Sequence, residues 1–167
     1  DLIHPFIQDL SEKYDETVHL VMEKDNMIEY IDKIQSKKSV MVNTRIGDSL
    51  PMYCTGVGKA ILAYKSPGEI DEYLSTTRLI PYTDKTIIDK EELKIELEKI
   101  RLQGYSVDDE EILEDIYCLA VPIFIDDKNV QFAVSISMPS FRVDKQLEED
   151  IKGDLIELVA DVKKIIK

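Results

Sequence analysis

Apolar positions along the chain fall into blocks with a helical period or a strand period. Pro5 stands where the first turn of a helix tolerates proline, and Phe6, Ile7, Leu10 and Tyr14 follow at helical spacing. Residues 3–15 therefore read as an amphipathic helix. Strict alternation comes next, with Val18, Leu20 and Met22 pointing one way and Thr17, His19 and Val21 the other. A Lys24-Asp25-Asn26 turn leads into Ile28, Tyr30 and a second strand toward Ile34, which makes a hairpin. A third strand is predicted over residues 39–43, followed by a loop over 44–51. Thr55 is placed to cap a helix over 56–64.

The second half repeats these signals. Ser66-Pro67-Gly68-Glu69 has capping-box spacing with proline at the first helical position. Asp89 to Glu92 starts another helix, with an apolar stripe of Leu93, Leu97 and Ile100 and with Gly104 at the C-cap position. A short strand over 105–108 and an acidic loop over 109–115 precede strands over 117–125 and 130–138, joined by Asp126-Asp127-Lys128-Asn129. Ile151, Leu155, Leu158, Val162 and Ile165 mark a closing helix. Short connections between strands favour an antiparallel sheet covered by helices, so the expected class is α+β. No repeat, low-complexity tract or Pro/Gly/Ser-rich linker divides the chain, and residues 1–167 are expected to form one domain.

Composition narrows the function. The 167 residues are 44% apolar, enough for one well-buried core. The formal charge is −13, and no stretch concentrates Lys or Arg, so the phosphate attraction behind nucleic-acid binding is missing from this chain. Cys54 and Cys118 lie far apart with no CxxC neighbour, which argues against a zinc ribbon or a disulfide scaffold and favours a reducing cytoplasm. No run of about 18 apolar residues and no signal-peptide pattern is present, so neither a span nor membrane partnership is expected. A start at Asp1 suggests an excised fragment.

Several motifs could carry chemistry. Gly56-Val57-Gly58-Lys59-Ala60 resembles the end of a P-loop, but that motif needs glycine at 53 and Ser or Thr at 60, where Tyr53 and Ala60 stand. Two glycines at a helix start can instead leave backbone N–H groups open to a small carboxylate, or merely let the helix pack closely on the sheet. The acidic residues Asp108, Asp109, Glu110, Glu111, Glu114 and Asp115 read most simply as a solvated loop, with no metal-ligating histidine spacing and no partner nucleophile. Cys118 lies among apolar residues, as inert core thiols do, and His19 falls on a strand whose opposite face looks like the core side. Ser135 and Ser137 share one face of a strand that is otherwise apolar on both sides through Phe132, Ala133, Val134, Ile136 and Met138, which points to a pocket rather than solvent.

Four blocks together resemble the C-terminal, effector-binding domains of IclR-type bacterial transcription regulators. The first is Arg45-x-Gly47 with Leu50-Pro51-Met52-Tyr53-Cys54-Thr55-Gly56-Val57-Gly58-Lys59-Ala60-Ile61-Leu62-Ala63. The second runs from Ile100-Arg101-x-x-Gly104 through Tyr105-Ser106-Val107 to Asp108-Asp109-Glu110-Glu111. Cys118-Leu119-Ala120-Val121-Pro122-Ile123 and Ala133-Val134-Ser135-Ile136-Ser137-Met138-Pro139 complete the set, in family order and spacing. The resemblance implies a GAF/PAS-like antiparallel sheet flanked by helices, a cytoplasmic homodimer or homotetramer, and a winged helix-turn-helix ahead of this domain, absent here, through which DNA would be bound. It implies a regulator with a small-molecule effector such as an organic acid; the alternatives are an enzyme on the same fold using Cys118 or Cys54, or a ligand-free oligomerisation domain, and no cofactor is expected. Carried over by position, the pocket would use Gly56 and Val57 through backbone N–H, with Asp108, Cys118, Ser135 and Ser137 as polar groups. Leu50, Met52 and Ile116 would form its apolar wall. Tyr53 and Tyr117 depart from the His and Arg common in the family, and the loop after Gly47 is short.

Overall fold

A computed structural model describes residues 2–38 and 42–166. It opens with helix α1 (His4–Tyr14) and the hairpin β1 (Thr17–Lys24) and β2 (Met27–Ile34). The hairpin turns at Asp25 and Asn26, both with positive φ (53° and 61°), the two-residue geometry whose twist matches that of the flanking strands. Strand β3 (Ser49–Pro51) and helices α2 (Gly56–Leu62), α3 (Pro67–Thr76) and α4 (Lys90–Gln103) follow. Then come β4 (Ser106–Asp109), β5 (Ile116–Phe124), β6 (Val130–Pro139), a 3₁₀ turn (Ser140–Arg142) and the long α5 (Lys145–Ile166). The strands form one antiparallel sheet in the order β3-β2-β1-β6-β5-β4.

The local signals are used as their chemistry requires. Thr55 accepts the amide of Gly58 at the start of α2, Ser66 and Glu69 make a reciprocal capping box, and Asp89 accepts the Glu92 amide. Gly104 ends α4 in the left-handed conformation (φ 85°) and donates its N–H to the Ile100 carbonyl. One strand lies elsewhere than predicted. Of the expected strand over 39–43, residues 39–41 fall outside the described residues and 42–43 are irregular. The third strand forms instead at Ser49–Pro51, inside the predicted loop. Pro51 is tolerated there because β3 is an edge strand.

The sheet is covered on both faces, which explains why β6 is apolar throughout. Val18, Leu20, Leu119, Val121, Val134, Ile136 and Met138 pack on one side against α1 and α5, which contribute Ile7, Leu10, Ile151, Leu155, Leu158 and Val162. On the other side Val21, Ala120 and Ala133 meet α2 and the helices beyond it through Val57, Ala60, Ile61, Leu93, Leu97 and Ile100. Helix α2 is buried over its whole length.

Of the two glycines at the start of α2, Gly58 is demanded by packing. A Cβ there would lie 2.3 Å from Met52 Cα and 2.4 Å from Met52 O, both backbone atoms that cannot swing aside. Gly58→Ala is therefore expected to lower the unfolding free energy by about 1–3 kcal/mol in urea denaturation. Gly153→Ala, within α5 and with open space around the added methyl, should raise it by up to about 1 kcal/mol.

Candidate functional site

Residues directly opposite one another on neighbouring strands share a face, and the pairing collects the polar groups into rows. Asp108 of β4 pairs with Cys118 of β5, Cys118 with Ser137 of β6, and Ser137 with Thr17 of β1. One step along, Ser135 pairs with Ala120 on one side and His19 on the other. These rows face α2, whose start stands above them. Gly56 sits where an added Cβ would meet Ala120 and Asp108 at 3.5–3.6 Å, so the helix start rests on β4 and β5.

Between the rows and the helix start lies a cavity of about 50 Å³, roughly four times the volume of about 10–15 Å³ that one water needs. Its walls are His19, Tyr30, Val42, Thr44, Leu50, Thr55, Gly56, Val57, Asp108, Ile112, Leu113, Ile116, Cys118, Ser135 and Ser137. Wider grooves exist at the surface, including one between α1 and α5 lined by Asp9, Lys13 and Asp154, but they gather none of these residues. Of the nine residues nominated from sequence, Gly56, Val57, Asp108, Cys118, Ser135, Ser137, Leu50 and Ile116 come together here. Met52 does not: it packs in the core with its backbone against Gly58 and lines a separate surface groove. Tyr53 and Tyr117 are also absent from the walls. Tyr53 uses its hydroxyl to accept the Ile80 amide and to donate to the Ile80 carbonyl, which pins the chain after α3.

Ser135 and Ser137 are each only 4% exposed, so they do not stand on a solvent face. The Ser137 hydroxyl lies 3.0 Å from Cys118 Sγ. His19 is the largest departure from the sequence reading. It is buried rather than set on an open face, its Nε2 lies 2.6 Å from Thr44 Oγ1, and its ring leans on Tyr30 at 4.7 Å. Its Nδ1 has no partner among the described residues. Burial, with Lys33 nearby, lowers its pKa to about 3, so the ring is neutral and offers a single donor and a single acceptor.

The acidic run is only partly solvated. Asp108 and Glu111 turn inward and are buried, while Asp109, Glu114 and Asp115 face solvent. The Asp108 carboxylate accepts the Glu111 amide at 2.8 Å. Burial, reinforced by the neighbouring Glu111 carboxylate, pushes its pKa up to about 7. Glu111 in turn accepts a hydrogen bond at 2.8 Å from the ammonium of Lys59, a residue 1% exposed in the middle of α2. The same ammonium donates to the Val107 carbonyl at 2.7 Å. Lysine is almost never fully buried without a partner, so this ion pair is the price of seating α2 against β4. Among the described residues, no group of three or more His, Cys, Asp or Glu side chains is arranged to hold a metal ion.

Nearly the whole chain is similar to known proteins. Residues 1–164 match the family model for the bacterial transcriptional regulator IclR C-terminal region. The chain belongs to the IclR family. It is 35% identical to the transcriptional repressor IclR of Escherichia coli K12 over 85% of its own length and 53% of that protein. It is also 35% identical to the HTH-type transcriptional regulator KdgR of Dickeya chrysanthemi, over 92% of its length and 49% of that protein. The chain thus spans about half the length of the curated relatives it matches. Among solved structures, the IclR of Thermotoga maritima superposes with a TM-score of 0.95 at 35% identity, covering 99% of this chain and 67% of that one. The C-terminal domain of E. coli KdgR gives 0.87 at 31% identity, covering 95% and 92%. The antiparallel sheet flanked by helices is the fold of these IclR-family domains.

The buried pair of this IclR-family chain makes a test of the local electrostatics. Lys59→Met leaves Glu111 buried and unpaired and should destabilise the fold by about 3–5 kcal/mol near neutral pH. Burial already raises the Glu111 pKa, with Lys59 opposing it. Without Lys59 the folded variant should hold a proton that the unfolded chain releases, so its stability falls as pH rises. Urea titrations at about pH 5 and pH 8 should show a smaller gap from wild type at the lower pH.

Proposed function

We propose that this chain is a single effector-sensing domain of an IclR-type transcription regulator and that its effector, a small carboxylate-bearing metabolite, binds in the cavity between the sheet and the start of α2. The observation that carries this reading is the convergence of hydroxyls, a helix start and an apolar wall on one small cavity. Ser135 and Ser137 would orient the ligand, and the amides of Gly56 and Val57, which have no helical carbonyl to bond, would meet its carboxylate. Leu50, Ile112, Leu113 and Ile116 would form the cavity's apolar wall.

DNA would be bound by a winged helix-turn-helix preceding this domain, in a cytoplasmic homodimer or homotetramer. The ligand acts by favouring one arrangement of that assembly, which requires that it bind one arrangement more tightly than the other. No helix among the described residues is long and apolar enough to cross a membrane. The chemistry of the site favours reversible binding over turnover. Burial raises the pKa of both thiols, that of Cys54 to about 12, which leaves neither as the thiolate a nucleophile needs.

Two measurements test the proposal. In a thermal-shift screen of small organic acids, including glyoxylate, pyruvate, sugar acids and aromatic acids, one class should raise Tm dose-dependently. The rise should be about 5–10 °C at a hundredfold excess over Kd. Ser135→Ala/Ser137→Ala should abolish most of that rise, and no rise with any acid would favour a domain that only assembles. Alkylation at about pH 7.5 should be much slower for both cysteines than for a free thiol, and rapid modification of Cys118 would instead support catalysis.

A further inference from the structure

We infer that Asp108 serves the cavity as a neutral carboxyl group that donates a hydrogen bond to the ligand's carboxylate, so that anion binding is coupled to the uptake of one proton. The inference rests on the carboxylate-sensor reading and deepens it by naming the group that makes an anion acceptable in this site.

The cavity presents no cation. None of its described lining residues is Lys or Arg, and its one histidine is held neutral by burial. Two ammonium groups lie nearby and neither is among the lining residues: Lys59 is committed to Glu111 and the Val107 carbonyl, and Lys33 to the carbonyls of Val42 and Thr44. A ligand carboxylate in so small a space would therefore face an ionised Asp108 with nothing of opposite charge between them. Like charges in a poorly solvated site exclude one another unless one of them takes a proton.

Asp108 is built to take that proton. Its Oδ1 accepts the Glu111 amide, and its Oδ2 makes no hydrogen bond among the described residues. Of the groups that act on it, the Glu111 amide and the Lys59 ammonium stabilise its charge, but burial and the carboxylates of Glu111 and Asp109 oppose them and prevail. Cys118 lies opposite on β5, Cys54 precedes α2, and Tyr30 comes from β2. Burial raises the pKa of all three, so they are neutral around pH 7. Glu111, from the following loop, adds negative charge, while Lys59 of α2 opposes it more weakly than burial and Glu111 act together. The result is a carboxyl whose pKa stands at about 7, where a carboxylic acid kept neutral can serve as a donor.

The test uses the 167-residue chain and the acid that gives the largest thermal shift, with pyruvate and glyoxylate as first probes. The side-chain ¹³C resonance of Asp108, assigned by comparison with Asp108→Asn, should titrate within about one pH unit of 7 in the free chain and at higher pH with ligand bound. Calorimetric affinity should weaken on the order of a hundredfold between about pH 6 and pH 9, because only the protonated fraction is competent. The ligand's own carboxyl stays ionised throughout. Asp108→Asn keeps an acceptor for the Glu111 amide and carries a permanent donor, so its affinity should vary less than about threefold over the same range. A carboxyl midpoint below about pH 5, or wild-type binding equally strong at pH 6 and pH 9, overturns the inference while leaving the sensor reading intact. A variant as pH-dependent as wild type assigns the titration to Glu111 and also overturns it. Failure of every acid to bind at about pH 6, with the carboxyl titrating near 7, overturns the sensor reading and the inference together.

Discussion

The seating of α2 on the sheet is the constraint on which the rest of the molecule depends. That helix is buried from end to end, and it carries a lysine. An ammonium can be kept there only if its donors are met, and they are met by Glu111 and the Val107 carbonyl. The Lys59 ammonium therefore ties three elements together: α2, β4 and the loop that follows it. The same loop supplies Ile112 and Leu113 to the cavity wall, and its Glu111 amide holds Asp108. Thr83 and Thr86 add hydroxyl donors to the Glu110 and Glu111 carbonyls from the segment before α4. At the other end of the contact, Gly58 lets the helix meet the Met52 backbone at a distance no side chain would permit. A small cavity remains because the helix start is fixed above the polar rows.

The two faces of the sheet divide the work. One face is apolar and is covered by α1 and α5, which form one of the two hydrophobic clusters of the core. The other face is mixed: apolar under the body of α2, but with small polar residues where Ser135, Ser137, Cys118, Asp108 and His19 meet under its start. Strand β1 links the two. It follows α1 directly, and it pairs through Thr17 and His19 with the two serines. A ligand that contacts those serines can shift α1 only to the extent that it binds one placement of β1 better than another.

Much of this was legible in the sequence because it is local. The capping residues Thr55, Ser66 and Asp89, the C-cap Gly104 and the closing stripe of α5 all act within a few residues of themselves. The apolar run of β6 correctly pointed to a strand buried on both sides. Strand β3 was missed because three residues with a proline carry almost no periodic signal, and its partner on β2 is remote in sequence. Among the cavity residues, those brought in by distant elements were hidden. His19 looked peripheral because alternation in β1 reveals one covered face, and the second face is covered by α2 from far along the chain. Thr44 had no local mark, and Tyr30 was marked only as a position of the second strand. Lys59 and Glu111 were hidden by residue type, since each is ordinarily exposed and only their pairing makes burial tolerable.

The central claim is that the cavity under α2, and not another surface, receives a small carboxylate. Its most direct test is a ¹H–¹⁵N correlation spectrum of the chain titrated with the acid of greatest effect. The account predicts that the largest shifts fall on the amides of Gly56, Val57, Asp108, Cys118, Ser135 and Ser137 and on neighbours of His19, with little change along α1 and α5. Shifts confined to the groove that contains Asp9, Lys13 and Asp154, with the cavity residues unmoved, would contradict it.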